Sequence, residues 1–161
     1  MRRGAANLSE TYPARAEAIS EARQALSDFA AAAGADEGQV EAVRLASSEA
    51  LTNAVVHAYR DQTGTIRVTA AEISGELWVL IADDGCGLEP RADRPGLGLG
   101  LGLIARLSDH LAIVPRASGG TEVRMRFKLV GSGRAGWRQT RRNHQRRPLA
   151  RIGWPSPVMR R

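Results

Sequence analysis

Three polar side chains recur at intervals of four within one apolar stretch of the sequence. Glu49, Asn53 and His57 are four residues apart, so on a helix they share one face. A carboxylate on that face can act as a general base, and an amide oxygen can ligate Mg²⁺, which prefers oxygen donors. Because an unpartnered Glu or Asn is costly to bury, we expect a polar group against Glu49 and Asn53. A helix with a surface Glu and a hydrogen-bonded Asn is the alternative, while His57 is expected to serve packing.

A second motif, at residues 83–87, follows an apolar run and contains an acidic pair and two glycines. Asp83 can accept a hydrogen bond from an exocyclic amine such as that of adenine. Gly85 and Gly87 would let the backbone approach a flat ring closely, because glycine has no Cβ. An acidic turn after a strand is a common structural feature, and it is the alternative reading of this motif.

Two glycine-rich segments complete the set. Gly98, Gly100 and Gly102 stand at the predicted start of a helix, where free N–H groups and the positive helix end favour phosphate. No Gly-Lys-Ser/Thr follows, so the segment is not a Walker A loop, and the order of a dinucleotide fold is also absent. Gly120 precedes Thr121 in a predicted hairpin turn, and the Thr121 hydroxyl would reach the same phosphates. Each segment alone is also explained as an ordinary helix entrance or turn.

The hydrophobic periodicity predicts the elements that must position these motifs. The predicted elements are a strand at 6–13, helices at 15–33 and 36–59, strands at 65–72 and 76–83, a loop to Pro95, a helix at 98–108, and strands at 111–115 and 121–129. Pro13 stops the first strand and Gly34 ends the first helix. This order predicts an α+β two-layer sandwich, with a mixed sheet of about five strands covered on one face by about three helices.

Charge divides the 161-residue chain into two unequal parts. Residues 1–130 hold 14 Lys and Arg against 17 Asp and Glu, a net charge of −3, whereas residues 131–161 hold nine Arg and no acid, a net charge of +9. The length suits one domain plus an appendage. We therefore expect a domain at 1–130 and an Arg-rich, disordered tail at 131–161. Nucleic-acid binding through the tail is the alternative to a solubilising extension.

The chain carries no sequence signal for export or membrane insertion. Cys86 is its single cysteine, so an internal disulfide is excluded. No apolar run resembles a signal peptide or a span of about 20 residues. These features predict a cytoplasmic protein that does not enter a membrane.

Taken together, the four motifs resemble a known ATPase fold. They are similar, in order and spacing, to the N, G1, G2 and G3 boxes of the GHKL-type (Bergerat) fold shared by gyrase, MutL and histidine kinases, here at residues 49–53, 83–87, 98–102 and 120–121. The run at 48–59, Ser-Glu-Ala-Leu-Thr-Asn-Ala-Val-Val-His-Ala-Tyr, is most similar to bacterial anti-sigma factors that are serine-protein kinases. The resemblance covers about residues 7–129 and implies a histidine kinase-like ATPase domain.

The resemblance implies a role for each matching residue. Glu49 would be the general base, Asn53 the Mg²⁺ ligand and Asp83 the adenine-binding carboxylate. The residues implied to line the nucleotide are Gly85, Gly87, Gly98, Gly100, Gly102 and Thr121. Arg23, in the first helix, matches a position at which family members touch partner proteins.

The resemblance also implies the cofactors and partners. The protein would bind ATP and Mg²⁺, sequester a sigma factor and phosphorylate a serine of a STAS-type anti-anti-sigma antagonist, as a homodimer. Only ten residues, 88–97, separate Gly87 from Gly98, and several relatives have a longer lid here. A non-catalytic module that binds ATP and only sequesters its partner is therefore the alternative.

Overall fold

A five-stranded sheet forms one layer of the protein and three helices form the other. The computed structural model of the chain describes residues 7–58, 64–85 and 97–130. Within these residues the elements are β1 Asn7–Pro13, α1 Ala16–Ala32, α2 Glu37–Asn53, β2 Thr65–Ile73, β3 Glu76–Asp83, α3 Leu97–Leu107, β4 His110–Pro115 and β5 Thr121–Lys128. The predicted α+β two-layer sandwich is confirmed.

The sheet is antiparallel throughout, so the expectation of a mixed sheet is wrong. Its strand order is β1-β2-β3-β5-β4, and each of the four pairings is antiparallel. β4 runs parallel to β3, but the β4–β5 hairpin folds back and places β5 between them. The parallel strands β3 and β4 are therefore not hydrogen-bonded to each other.

α2 begins with a strong cap and ends in an unusual turn. The Asp36 side chain accepts from the Gln39 N–H at 2.8 Å, while the Gln39 side chain accepts from the Asp36 N–H at 3.1 Å, which forms a capping box. Beyond Asn53 the chain continues as a π-helical segment, Ala54–Ala58. The helix predicted over 36–59 is therefore helical from Glu37 to Ala58, but its last turn is a π-helix, a form that occurs commonly at functional sites; Tyr59 lies outside the described residues.

Gln39 also connects the start of α2 to the end of the sheet. Its Nε2 donates to the Lys128 carbonyl, and its Oε1 accepts from the Val130 N–H at 3.3 Å. The point at which the chain leaves β5 is thereby held beside the N-terminal end of α2.

The core lies between the helices and one face of the sheet. Alternating residues of β2, β3 and β5 are buried on that face, as expected for strands with one covered side. The largest fully buried side chains include Leu26, Leu51, Ile66, Leu77, Ile81, Ile104 and Met125. Asp83 stands opposite Ile66 in the β2–β3 register, so its carboxylate lies on the helix-facing side at the end of β3.

Some predictions concern residues outside those that the structure describes. These are the Arg-rich tail at 131–161, the loop that contains Cys86 and Gly87, and the chain before Asn7. Among the helices that are described, none is long and apolar enough to cross a membrane.

Candidate active site

The Asp83 carboxylate is held in place by backbone groups from two motifs. Asp83 is 6% exposed, and its Oδ1 accepts from the Gly85 N–H at 3.0 Å and from the Thr121 N–H at 3.3 Å. Burial raises the pKa of Asp83, and these two hydrogen bonds and the Arg116 guanidinium oppose that rise. No donor to Oδ2 is found among the described residues, so this oxygen is available to a ligand.

The β4–β5 turn packs directly against the end of β3. Gly120 has a φ of +84°, and a Cβ placed on it would lie 2.1 Å from the Asp83 carbonyl oxygen. Arg116 reinforces this contact, because its Nη1 donates to the same carbonyl at 2.7 Å. The second and fourth motifs of the sequence are therefore one structural unit, and only glycine fits at position 120.

The first and third motifs meet in the same way. A Cβ placed on Gly100 of α3 would lie 2.7 Å from Glu49 Oε2 and 3.6 Å from Asn53 Nδ2. Glu49 is half-buried and Asn53 is buried. The α3 backbone thus lies against Glu49 and Asn53, on the polar face of α2.

Asn53 carries an unsatisfied polar atom. Its Nδ2 is buried and has no hydrogen-bond partner among the described residues, a situation that costs about 1–3 kcal/mol. A phosphate oxygen would accept a hydrogen bond from this nitrogen. A 180° rotation of the amide would instead present Oδ1, a ligand suited to Mg²⁺. The Asn53 side chain therefore fits either bound group.

Both pairs of motifs lie on the same side of the sheet. Asp83 stands opposite Ile66, and Ile66 shares its hydrophobic core with Ala50, one turn before Asn53 on α2, and with Ala54, which follows Asn53. The arrangement combines a half-buried carboxylate, an unpaired amide, a carboxylate fixed by backbone N–H groups and a helix start. Such a set can hold a polyanion with a flat, amine-bearing ring.

The glycine series lies inside α3 rather than before it. α3 begins at Leu97, and only the first four N–H groups of a helix lack an intrahelical acceptor. Gly98 and Gly100 belong to that first turn, whereas Gly102 lies beyond it and is exposed, and a Cβ added to it would have no atom within 4 Å. Gly100 and Gly102 therefore differ in their surroundings, although the spacing of the glycines in the sequence is regular.

Other predicted site residues lie apart or outside the described residues. Arg23 is on α1, where its Nη2 is 3.4 Å from Ser20 Oγ. Gly87 is not among the described residues, and the side chain of His57 is not described. Within the described ranges, no group of three or more His, Cys, Asp or Glu side chains is placed to hold a metal ion.

Sequence reasoning missed Arg116. Its hydrogen bond to the Asp83 carbonyl joins two segments 33 residues apart, and no local sequence pattern predicts such a bond. The one signal was its position directly after a strand and before a double-glycine turn. Turns of this kind bring neighbouring strand ends together.

Comparison with known proteins identifies one family of ATPase domains and relatives of one kind. The family model described as "Histidine kinase-like ATPase domain" matches residues 12–127. The anti-sigma F factor of Clostridium acetobutylicum is 27% identical over 130 residues, which cover 74% of this chain and 91% of that protein. The serine-protein kinase RsbW of Bacillus licheniformis is 34% identical over 99 residues, which cover 61% and 62% of the two chains.

A solved structure agrees with these sequence matches. The crystal structure of the RsbU and RsbW domains of Rv1364c from Mycobacterium tuberculosis superimposes with a TM-score of 0.62 at 27% identity. The match covers 77% of this chain and 32% of that longer one.

Proposed function

The chain belongs to the family of histidine kinase-like ATPase domains, and we propose that it is an ATP-binding anti-sigma factor and protein-serine kinase. The observation that carries the proposal is the contact of the Gly100 backbone with Glu49 and Asn53. It joins a candidate base, a polar ligand and a phosphate-binding helix start in one place. The names of the relatives, anti-sigma F factor and serine-protein kinase, support the same activity.

In the proposed site, each end of ATP meets a different pair of motifs. Asp83 Oδ2 accepts from the adenine amine, while Gly85 and Thr121 keep the carboxylate oriented through Oδ1. The phosphates lie toward the first turn of α3, where N–H groups and the helix dipole favour negative charge. Gly87, Gly98 and Gly102 remain proposed contacts of the nucleotide.

Phosphoryl transfer depends on positioning and charge neutralisation more than on covalent chemistry from the protein. Glu49 accepts the proton of the substrate serine hydroxyl as the serine oxygen bonds to the γ-phosphorus, while the bond from the γ-phosphorus to the β–γ bridging oxygen breaks and ADP leaves. Asn53 is proposed to hold Mg²⁺ through Oδ1. When bound, Mg²⁺ neutralises charge on the phosphate oxygens.

A direct assay tests the proposed activity. The full-length protein, Mg²⁺ and labelled ATP are incubated with the cognate anti-anti-sigma antagonist, and the phosphorylated residue is identified by mass spectrometry. A labelled serine is the expected result. ATP binding and sigma-factor binding without any transfer would instead identify a sequestering module that does not turn over.

Asp83→Asn separates nucleotide recognition from stability. We expect its ATP affinity to fall about 10- to 100-fold, because the hydrogen bond to a charged acceptor is weakened. Its free energy of unfolding at neutral pH should equal or exceed that of the unchanged protein. The reason is that burial raises the pKa of Asp83, so the charged carboxylate is disfavoured in the folded state, whereas Asn can accept the same two N–H bonds.

The sign of the pH dependence follows from that raised pKa. Asp83 contributes most to stability below its unfolded pKa of about 4, and the contribution falls as pH rises through the native pKa. The stability of Asp83→Asn relative to the unchanged protein should therefore increase with pH across this range. Calorimetric ATP titration and urea unfolding at several pH values measure the two effects. A relative stability that decreases with pH would contradict the assignment.

Arg23 is proposed to contact a partner protein. Within the described residues its guanidinium bonds only Ser20, and it lies on α1, which carries none of the four motifs. We expect Arg23→Glu to weaken sigma-factor binding at least about tenfold, as for a charged residue at the centre of an interface, with ATP affinity unchanged. Binding measured by surface plasmon resonance checks this. Arg44→Glu is the matched control, because Arg44 is already paired with Glu41 at 2.5 Å; equal losses in both variants would refute a specific role for Arg23.

The remaining assignments extend the same proposal. The ATPase domain occupies residues 1–130, and the Arg-rich tail at 131–161 is a separate appendage. The protein works in the cytoplasm as a homodimer, and any nucleic-acid binding resides in the tail. Such binding would weaken steeply with salt and disappear when residues 131–161 are deleted.

A further inference from the structure

A cavity of about 270 Å³ lies at one end of the open face, the sheet face that points away from the helices. Among the described residues, its lining consists of two arginines, three hydroxyl side chains, one carboxylate and one small residue, namely Arg67, Arg116, Thr11, Thr65, Ser118, Asp84 and Ala82. Side chains of successive strand residues point to opposite faces. Ala82 therefore faces this cavity while Asp83 faces the helices, and the cavity is separate from the proposed ATP site.

From this lining we propose that the cavity is a second ligand site, which binds a small phosphate monoester or free phosphate. Arg67 is exposed, and the structure describes no ion pair for it in residues 7–58, 64–85 and 97–130. Arg116 donates one N–H to the Asp83 carbonyl, which leaves other donors of its guanidinium for a ligand. The planar guanidinium fork matches phosphate oxygens, and the Ser118 hydroxyl can donate to the same oxygens.

The charges around the cavity favour an anion. Two arginines face one carboxylate, and Asp84 is engaged by Thr65, whose N–H lies 3.3 Å from Oδ1 and whose hydroxyl lies 3.5 Å from Oδ2. Glu122, opposite Ala82 in the β3–β5 register, is neutralised by Arg124 at 2.5 Å. The lining thus carries a net positive charge, whereas residues 1–130 as a whole are net negative.

The size of the cavity and its charge limit the occupant. Pockets for drug-sized ligands span about 300–1,000 Å³, so this cavity suits a molecule smaller than a nucleotide. The Arg-rich segment at 131–161 carries nine arginines and no acid, and a positively charged lining would repel it. A small phosphate-bearing molecule satisfies both limits.

The test uses the full chain and inorganic phosphate as the probe, followed by amide NMR shifts at constant ionic strength with chloride as the reference salt. We expect saturable shifts at Thr65, Arg67 and Ser118. Arg67→Gln should lower the affinity at least about tenfold, because a charge-assisted hydrogen bond is lost. Ala82→Leu should have a similar effect, because Ala82 lines the cavity and the larger side chain would fill it.

Lys128→Gln is the matched control, because Lys128 is exposed on the same face at the other end of the sheet, opposite Glu76. It should leave the affinity unchanged. A repeat with glycerol 3-phosphate distinguishes a monoester ligand, which would bind more tightly, from free phosphate. Shifts confined to the surroundings of Glu49 and Gly100, shifts that never saturate, or an affinity that Arg67→Gln leaves unchanged would each overturn the proposal. Arg67 is exposed, so its variant decides the question even if Ala82→Leu fails to fold.

Discussion

A Glu49→Ala protein is expected to bind ATP with nearly unchanged affinity and to phosphorylate its substrate serine about 10²–10⁴ times more slowly, the contribution typical of a general base. The expectation rests on the position of Glu49, whose Oε2 would lie 2.7 Å from a Cβ on Gly100. The carboxylate therefore lies beside the first turn of α3, where we propose that the phosphates bind. Ala removes the proton acceptor but leaves Asp83 and its backbone hydrogen bonds in place.

Single-turnover transfer from labelled ATP measures this rate, and calorimetric titration measures ATP affinity. Glu41→Ala is the matched control, because Glu41 lies on the same helix but is exposed and paired with Arg44. It should transfer at the normal rate. Full transfer by Glu49→Ala would remove Glu49 from its catalytic role, whereas parallel losses in both variants would indicate damage to α2.

The second large effect is expected in stability, from two adjacent glycines of the β4–β5 turn. Gly119 and Gly120 have φ values of +90° and +84°, so Ala at either position incurs a similar backbone cost of about 1–2 kcal/mol. Gly119 has no atom within 4 Å of a Cβ position, but a Cβ on Gly120 would lie 2.1 Å from the Asp83 carbonyl oxygen. We expect Gly120→Ala to cost about 3–5 kcal/mol in total, the range of severe packing defects.

Urea unfolding of both variants isolates the packing contribution, because the conformational cost largely cancels between them. Gly120→Ala should also lose ATP affinity. The added Cβ would displace the turn, and the Thr121 N–H would no longer donate to the Asp83 carboxylate. Gly119→Ala should retain that affinity. Equal unfolding free energies for the two variants would show that the turn does not pack on β3 as described.

The sequence predicted most elements closely because their signals are local. Gly34 has a φ of +96° and follows α1, and the Ser74-Gly75 turn joins β2 to β3 with φ values of 55° and 80°, as a two-residue hairpin requires. The alternation of buried residues along β5 is equally visible in the sequence. Such features need only a few adjacent residues to specify them.

The errors arose where distant segments decide the outcome. The antiparallel order depends on β5 inserting beside β3, and no residue of either strand encodes that choice alone. The π-helical turn after Asn53 follows a normal α-helical pattern, so periodicity could not reveal it.

For the candidate site, the sequence predicted which residues belong together but not the contacts that hold them. Motif order identified Glu49, Asn53 and Asp83 as residues that should converge. Their contacts with Gly100 and Thr121 required the packing of α3 and of the β4–β5 turn. Arg116 was missed because its guanidinium acts on a backbone carbonyl far away in the sequence.

The hydrogen bonds between Gln39 and the end of β5 fix the position from which a fluorophore or affinity tag can be attached to the domain. Gln39 and Asn53 lie at opposite ends of α2, and a rise of about 1.5 Å per residue places them about 20 Å apart. A fluorophore or affinity tag joined just after Val130 would therefore start about 20 Å from Asn53, the proposed Mg²⁺ ligand. With a short linker, the attached group could signal the binding of a partner protein. The linker would be too short to bring the group into the proposed nucleotide site at high effective concentration.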